Sequence, residues 1–497
     1  VSGPAMADAR HPGAPGHAPD AWPAGPLLAY CADDFTGATD VMEAFTAAGV
    51  STVLFLAPPA PHWVQRFAGV RCIGLATTAR GQSLAWMDTH LPEAYARLRA
   101  FGAPLLQYKL CSTFDSAPHI GSIGRAIDLG IQAQGGRWSP MVVAAPRLRR
   151  YQAFGNLFAA VDGTAHRLDR HPTMSRHPVT PMAEADLRRH LAAQTPRRSA
   201  LIDLVQLKAG QGSAQLQALI DGAAGDDTPV VLLDVVDEDT LAAAGALVWQ
   251  GRGQGLFTAA SSGLQDALAA HWRARGWLPA APGLPQAAPV AAVAAVSGSC
   301  SPVTAAQIAW ARAQGFAVLR LDIAAALRPG PPRDGPPEGT GSHTNAQTGA
   351  GSPEVQRLVD AAAQALAQGR SPLVHSAEGP DDPAVTGFDA LAAAAGLSRD
   401  AAARQVGESL AEVMRRLLER VPALRRVAVA GGDSSGAVAG ALGIAALDIE
   451  AGLVPGAPLC RAWSDHAARQ GLQVVLKGGQ MGAADFFGRL RAGRSPD

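Results

Sequence analysis

Aromatic residues are scarce, 5% of the 497-residue chain, and neither sign of charge is in excess, with 42 Lys and Arg against 42 Asp and Glu. A nucleic-acid or membrane surface normally needs a basic excess, and base stacking needs aromatics, so neither partner is expected. Cysteine is sparse and odd in number. Cys31, Cys72, Cys111, Cys300 and Cys460 form no CxxC pair. That argues against a disulfide framework or a zinc ribbon and for a reducing compartment. No run of about 18 apolar residues occurs, so no membrane span is expected. The first 25 residues are rich in Pro, Gly, Ala and His and lack the apolar run of a signal peptide. The expectation is a cytoplasmic protein with a disordered tail over residues 1–25.

A chain of 497 residues is too long for one ordinary core, and two domains are expected. From residue 26, short apolar runs alternate with Ala-rich helical stretches. LLAYCA (27–32), STVLFLA (51–57), MVVAAP (141–146), ALIDLV (200–205) and VVLLDVV (230–236) read as strands. VMEAFTAAG (41–49) reads as a helix stopped by Gly49. The alternation predicts an α/β fold, with each of two domains a largely parallel sheet flanked by helices. The expected division is a domain over 26–276, a Pro-rich linker over 277–290 and a second domain over 291–497. Residues 328–353 are too rich in Pro and Gly for a regular element and are expected to be a flexible insertion. Helices are expected near 354–369 and 398–420, with strands at PLVHSA (372–377) and RRVAVAGG (425–432).

RRVAVAGGDSSGAVAGALGI (425–444) reads as a buried strand, a loop and a helix beginning near Ala437. The loop holds Gly431, Gly432, Asp433, Ser434, Ser435 and Gly436. A glycine-rich turn at a helix N-terminus exposes unpaired N–H groups and suits a phosphate. Asp433 would repel a phosphate unless a cation lay between them, which makes it the candidate Mg²⁺ ligand. The competing reading is a tight turn with a Ser or Asp cap. No GK[ST] follows, so this is not a Walker A loop, and GG is not the GxGxxG of a dinucleotide fold. VVLKGGQMGAADFF (474–487) has the same form, with Lys477, Gly478, Gly479 and Gly482. PGAPLCRAW (455–463) is a third turn, and SGSCSPVT (297–304) is a fourth, with Ser299 and Ser301. Ligands bind at the carboxyl ends of strands in such sheets, so these loops are expected to converge on one nucleotide.

The N-terminal half carries different chemistry. In ADDFTGATD (32–40), Asp33 and Asp34 end the first strand, and Thr36 to Thr39 form the turn into a helix. Carboxylates accept hydrogen bonds from a polyol and can take its proton, but repel a bare phosphate. QYKLCSTFDSAPHIGSIG (107–124) puts Lys109, Ser112, Thr113, Asp115 and Ser116 in one loop. HRLDRHPTMSRHPVTP (166–181) offers Arg167, Arg170 and Arg176, and ends in Thr180-Pro181, a predicted helix start. Its His166, His171 and His177 lie five and six apart, which matches no helical zinc motif.

ADDFTGATD, KLCSTFDS (109–116), GGDSSGAVAGALGI (431–444), PGAPLCR (455–461) and LKGGQMGAADFF (476–487), in that order, resemble the four-carbon acid sugar kinase family. The resemblance runs from about residue 26 to 488. It implies a two-domain kinase, with a sugar acid held by the N-terminal domain, ATP by the C-terminal one, and an active-site cleft between. Partners would be the sugar acid and ATP, with Mg²⁺ and with a homodimer left open. The implied reaction is transfer of the γ-phosphoryl of ATP to a terminal hydroxyl. Asp33 or Asp34 would bind that hydroxyl and serve as base. Thr36, Lys109, Ser112 and Asp115 would hold the substrate, with Arg147 and Arg167 as carboxylate candidates. Ser299, Ser301, Gly431, Gly432, Asp433, Ser434, Ser435, Lys477, Gly478, Gly479 and Gly482 would surround the nucleotide.

Two departures bear on the substrate. Many members have an acidic residue and an Arg where this chain has Cys111 and Asp115, and GSIG (121–124) falls three residues later than the family's GNIG. The CSTFD form is more similar to the 3-oxo-tetronate kinase branch, and such a substrate is the main expectation. A 3-oxo-isoapionate kinase is the alternative, with threonate or erythronate kinases behind it. An NAD-dependent sugar-acid dehydrogenase and a non-catalytic nucleotide-binding regulator are the competitors from other classes.

Overall fold

The protein is described here from a computed structural model, over residues 22–161, 163–177, 179–223, 227–280, 283–328 and 352–494. Most of the expected tail (1–21) and of the expected insertion (329–351) lies outside these residues.

The two expected sheets are joined into one. Twelve strands run in the order Leu256–Ala260, Leu105–Lys109, Leu28–Ala32, Cys72–Ala76, Thr52–Phe55, Ala446–Val454, Ala457–Trp463, Gln473–Lys477, Arg426–Ala430, Ala294–Ser297, Pro372–His375 and Ala317–Arg320. The first five are mutually parallel, and so are the last five. The two strands between them form an antiparallel hairpin. Its first strand pairs Ala446 with Phe55 and Leu447 with Leu54. This pairing covers what would be an open edge of the N-terminal sheet, whose N–H and C=O groups need partners. Two three-stranded sheets complete the N-terminal half. One is parallel and joins Ser139–Met141, Val230–Leu233 and Ser199–Ile202. The other is antiparallel and joins Arg150–Ala153, Asn156–Val161 and Thr164–Arg167.

Several boundaries differ from expectation, and local capping explains most of them. The first helix starts at Phe35, because Asp34 caps it by accepting the Gly37 N–H, so Thr36 to Thr39 are helical rather than a turn. The helix that follows Arg426–Ala430 starts at Gly432, which puts Asp433, Ser434 and Ser435 in its first turn instead of a loop. ALIDLV breaks after Ile202: Asp203 and Gln206 form a capping box that opens a helix at Leu204. MVVAAP contributes only Met141 to a strand. Thr180-Pro181 starts no helix. The next one begins at Leu187 with Asp186 as its cap. The helices at Pro353–Ala367 and Arg399–Arg420 lie where the periodicity predicts them. Among the described residues, no helix is long and apolar enough to cross a membrane.

Candidate active site

Three parallel strands end together in the N-terminal half, with Ala32 in register with both Ala76 and Lys109. The residues that follow them form a charged cluster. Arg80, on the short turn Ala79–Gly81, donates from Nε to Asp33 Oδ2 at 3.2 Å and from Nη2 to Asp33 Oδ1 at 2.7 Å. The same Nη2 donates to Asp34 Oδ1 at 2.8 Å. Asp33 is 2% exposed, while the Asp34 side chain keeps 13% of its surface. Burial raises the Asp33 carboxyl above its usual range, against the pull of Arg80. Burial acts on Asp34 as well, but Arg80, Lys109, the Thr36 hydroxyl and the Gly37 amide outweigh it and hold Asp34 below the usual range. Thr36 Oγ1 donates to Asp34 Oδ2 at 2.6 Å. Two neighbouring carboxylates are thus driven apart by their surroundings, the pattern that separates acid–base roles at active sites.

Arg80 is the residue that the sequence reading missed. Nothing in ATTARGQ (76–82) marks it, and only the parallel pairing of its strand beside Leu28–Ala32 brings it to the aspartates. The backbone seats it too. The Arg80 N–H donates to Asp33 O at 3.0 Å, and a Cβ on Gly121 would stand 2.2 Å from Arg80 O. Gly121 has φ +58, so both its conformation and this close approach require glycine.

Lys109 ends its strand buried, and its Nζ donates to Leu110 O at 2.9 Å. It lies close to Asp34: a Cβ on Gly37 would be 2.4 Å from Asp34 Oδ1 and 2.9 Å from Lys109 Nζ. In the next loop Cys111 Sγ is 3.0 Å from Thr113 Oγ1, which donates to Asp115 Oδ1 at 2.7 Å. Ser112 is half-buried in this loop. Burial, with the Asp115 charge, pushes the Cys111 thiol up to about 11, which leaves it a protonated, weakly nucleophilic group at neutral pH.

Arg147 and Arg167 do not join this cluster by any direct bond. Arg147 Nη2 donates to Asp40 Oδ1 at 2.8 Å and Nη1 to Glu43 Oε2 at 3.4 Å, and Nε is 3.5 Å from Asp266 Oδ2. Three carboxylates therefore already occupy it. Glu43 Oε2 also accepts the Gly456 N–H at 2.6 Å, which ties the first helix to the turn of the central hairpin. Burial pushes Glu43 up to about 7 and Asp266 up to about 6. The PGAPLCRAW turn therefore faces this clasp, and it also packs on the LKGGQMG loop, where a Cβ on Gly456 would be 3.1 Å from Met481 Sδ. Arg167, on an exposed strand end, forms a fork with Asp169 at 2.8 and 2.6 Å.

In the C-terminal half three strands also end together, with Ala430 in register with Ser297 and Lys477. Gly431 has φ +118 and begins the turn, and Ser435 Oγ donates back to Gly431 O at 2.7 Å. A Cβ on Gly298 would lie 2.2 Å from Ser434 Oγ, so glycine lets the two loops touch. Ser301 caps the helix Pro302–Ala313 and accepts the Val303 N–H at 3.2 Å. Ser299 Oγ donates to Thr304 Oγ1 at 3.1 Å. Lys477 is fully buried, and its ammonium faces the carbonyls of Gly478, Gly479 and Met481.

The two clusters meet. A Cβ on Gly432 would be 3.8 Å from Asp34 Oδ2, one on Gly478 would be 3.6 Å from Thr36 Oγ1, and one on Gly436 would press on the Phe35 ring at 2.9 Å. Burial raises the Asp433 carboxyl, the Asp34 charge raises it further, and Arg80 opposes both. Two helix N-termini, at Phe35 and Gly432, thus point at one region lined by carboxylates, cations and glycine amides. Two cavities lie elsewhere. One of about 730 Å³ is lined by Arg99, Trp138 and Gln250, and one of about 640 Å³ is beside Arg147 and Pro455. Neither contains this convergence of groups, and the site is assigned on its chemistry.

Residues 28–268 match a sugar-binding N-terminal domain, and residues 294–487 match a nucleotide-binding C-terminal domain. The chain is 64% identical over 474 residues to a 3-oxo-isoapionate kinase of Paraburkholderia graminis, covering 95% of this chain and 96% of that one. It is 31% identical over 465 residues to a 3-oxo-tetronate kinase of Methylobacterium radiotolerans, covering 93% and 98%. A solved structure from Salmonella typhimurium LT2, provisionally described as a tRNA synthase, superposes with a TM-score of 0.70 at 25% identity, over 93% of this chain and 98% of that one. A Haemophilus influenzae protein shares the fold with a TM-score of 0.63 at 23% identity, over 93% and 99%. Fold, site and relatives define a sugar-acid kinase. The chain belongs to the four-carbon acid sugar kinase family.

Proposed function

We propose that this kinase transfers the γ-phosphoryl of ATP to a terminal hydroxyl of 3-oxo-isoapionate. The observation that carries this substrate is the 64% identity to a 3-oxo-isoapionate kinase, about twice the 31% to 3-oxo-tetronate kinases. It reverses the order that the CSTFD motif suggested, in which the 3-oxo-tetronate came first. The shifted GSIG and the altered Cys111 and Asp115 positions are consistent with a branched substrate.

Asp34 is the better-exposed of the two aspartates and the one turned to the glycine loops, so it receives the acceptor hydroxyl and takes its proton. Asp33, locked in the Arg80 fork, positions Arg80. Lys109, Thr36, Ser112 and Asp115 orient the sugar acid. The amides of Gly432, Gly478, Gly479, Gln480 and Gly482, with Ser299, Ser301, Ser434 and Ser435, receive ATP, while Gly431 gives its own N–H to Lys477 O at 2.9 Å and shapes the turn. Closing the cleft between the halves would exclude water as a competing acceptor. A Mg²⁺ ion suits this donor set. Asp433 is a hard oxygen ligand whose mutual repulsion with Asp34 a cation would relieve, and Mg²⁺ binds through one or two carboxylates plus phosphates. When bound, it would offset the phosphate charge.

A coupled ADP-release assay with 3-oxo-isoapionate, 3-oxo-tetronates, threonate and erythronate tests the reading. The highest kcat/KM is expected for 3-oxo-isoapionate. A higher value for a 3-oxo-tetronate would overturn the substrate, and no ADP release with any acid would overturn the reaction.

A further inference from the structure

The loop Gly478–Ala483 owes its shape to two buried side chains outside it. Lys477 Nζ lies 3.0 Å from Gly478 O, 3.5 Å from Gly479 O and 3.3 Å from Met481 O, and donates to Thr304 Oγ1 at 3.2 Å. Gln307, also fully buried, sets its Nε2 at 2.9 Å from Met481 O, 3.1 Å from Gly482 O and 3.1 Å from Ala483 O. Thr304 Oγ1 donates to Gly479 O at 3.0 Å while accepting from Ser299 Oγ and Lys477. Five consecutive or near-consecutive carbonyls, those of Gly478, Gly479, Met481, Gly482 and Ala483, are therefore drawn into the protein.

A trans peptide holds its C=O and the following N–H on opposite sides. Drawing those carbonyls inward turns the N–H groups of Gly479, Gln480, Gly482 and Ala483 outward. Among the described residues none of these four N–H groups has an acceptor. Gly478 faces Thr36 across the site, where a Cβ on it would be 3.6 Å from Thr36 Oγ1. Successive outward amides make a concavity that binds anions. Gly482, at φ +80, is the point where the chain reverses to allow it.

We propose that Lys477 and Gln307 are positioning residues, which bind the loop's carbonyls from behind so that its amides form a cradle for the phosphates of the nucleotide. The inference rests on the ATP-dependent reading above and deepens it. In this arrangement Lys477 acts from inside the protein, behind the loop, and does not itself touch the phosphates. Burial lowers Lys477 to about 7, while the oxygens around its ammonium favour the charged form.

The test compares Lys477→Met and Gln307→Met with the wild-type chain by equilibrium binding of ADP and of adenosine, which lacks phosphates. In both variants ADP affinity is expected to fall on the order of tenfold or more, since charge-assisted amide bonds are lost. Adenosine affinity and the sugar-acid KM should stay within about twofold of wild type. Unchanged ADP affinity, or equal losses for ADP and adenosine, would overturn the inference. Should Lys477→Met fail to fold, Gln307→Met decides it alone, because it removes only the amide donors at near-constant volume. A wild-type chain that bound neither ADP nor ATP would instead overturn the kinase reading, and the cradle with it.

Discussion

Arg80 Nη2 lies 2.8 Å from Asp34 Oδ1, although 46 residues separate the two along the chain. The same nitrogen reaches Asp33 Oδ1 at 2.7 Å, so one guanidinium fixes both carboxylates at the end of the first strand. A buried charge left without its partner is costly, so the three residues act as a unit. Arg80→Ala is expected to lower kcat/KM by more than about a hundredfold, because Asp34 loses its orientation as well as its counter-charge. Steady-state kinetics with 3-oxo-isoapionate check this, and a loss of less than tenfold would refute the clamp.

The two aspartates should separate in kinetics. Asp34→Asn is expected to reduce kcat on the order of a hundredfold or more, with KM for ATP nearly unchanged. Asp33→Asn should act through Arg80, raising KM for the sugar acid and lowering the melting temperature. If Asp33→Asn proved the more damaging to kcat and left KM alone, the roles would be reversed.

Gly37→Ala isolates geometry from charge. The added methyl would stand 2.4 Å from Asp34 Oδ1 and 2.9 Å from Lys109 Nζ. Alanine in a helix is more favourable than glycine by about 1 kcal/mol, so the helix itself gains. The expected outcome is a folded protein with strongly reduced kcat, read by circular dichroism beside turnover. Full activity would mean that Asp34 moves freely and is not held for catalysis.

Asp433→Asn tests the cation assignment. Its carboxyl is raised by burial and by the Asp34 charge. Removing the charge relieves that repulsion and takes away the ligand. Affinity for MgATP is expected to fall about tenfold, while affinity for adenosine holds. Half-saturation by Mg²⁺ in the kinase assay should rise in step. An unchanged Mg²⁺ dependence would rule Asp433 out as a ligand.

Glu43 gives a pH prediction. Burial raises its carboxyl from a usual value of 4.5 to about 7. Between those values the folded chain holds a proton that the unfolded chain has released. Glu43 therefore costs stability as pH rises from about 4.5 through 7, and the cost is complete above 7. Glu43→Gln keeps an oxygen for the Gly456 N–H and removes the titration. Relative to wild type it should gain on the order of 1–3 kcal/mol between pH 5 and pH 8. Thermal unfolding across this range measures the difference. A gap that stays constant with pH would show that Glu43 does not titrate there.

The local elements and the chemistry of the motifs were legible in the sequence. Apolar runs marked the strands that end at Ala32 and Ala430, since burial on both faces leaves no other pattern, whereas Lys109, expected in a loop, closes the strand LLQYK, whose apolar run Gln107 interrupts. The glycines and aspartates that follow were visible as ligand turns, because only such residues accept those backbone angles or cap a helix. Exact helix starts at Phe35 and Gly432 were less legible, as a cap is a competition among adjacent side chains that the pattern does not decide. The sequence alone thus determined the α/β class, the reaction type and the carboxylate and glycine loops. Only the tertiary structure decided that the two halves share one sheet through Phe55 and Ala446. It alone brought Arg80 to Asp33 and Asp34, locked Arg147 among three acids, and set Lys477 behind its loop rather than at its mouth. Each of those outcomes depends on strand order and register, which place residues far apart in the chain within hydrogen-bonding distance, and strand order leaves no local mark in the sequence.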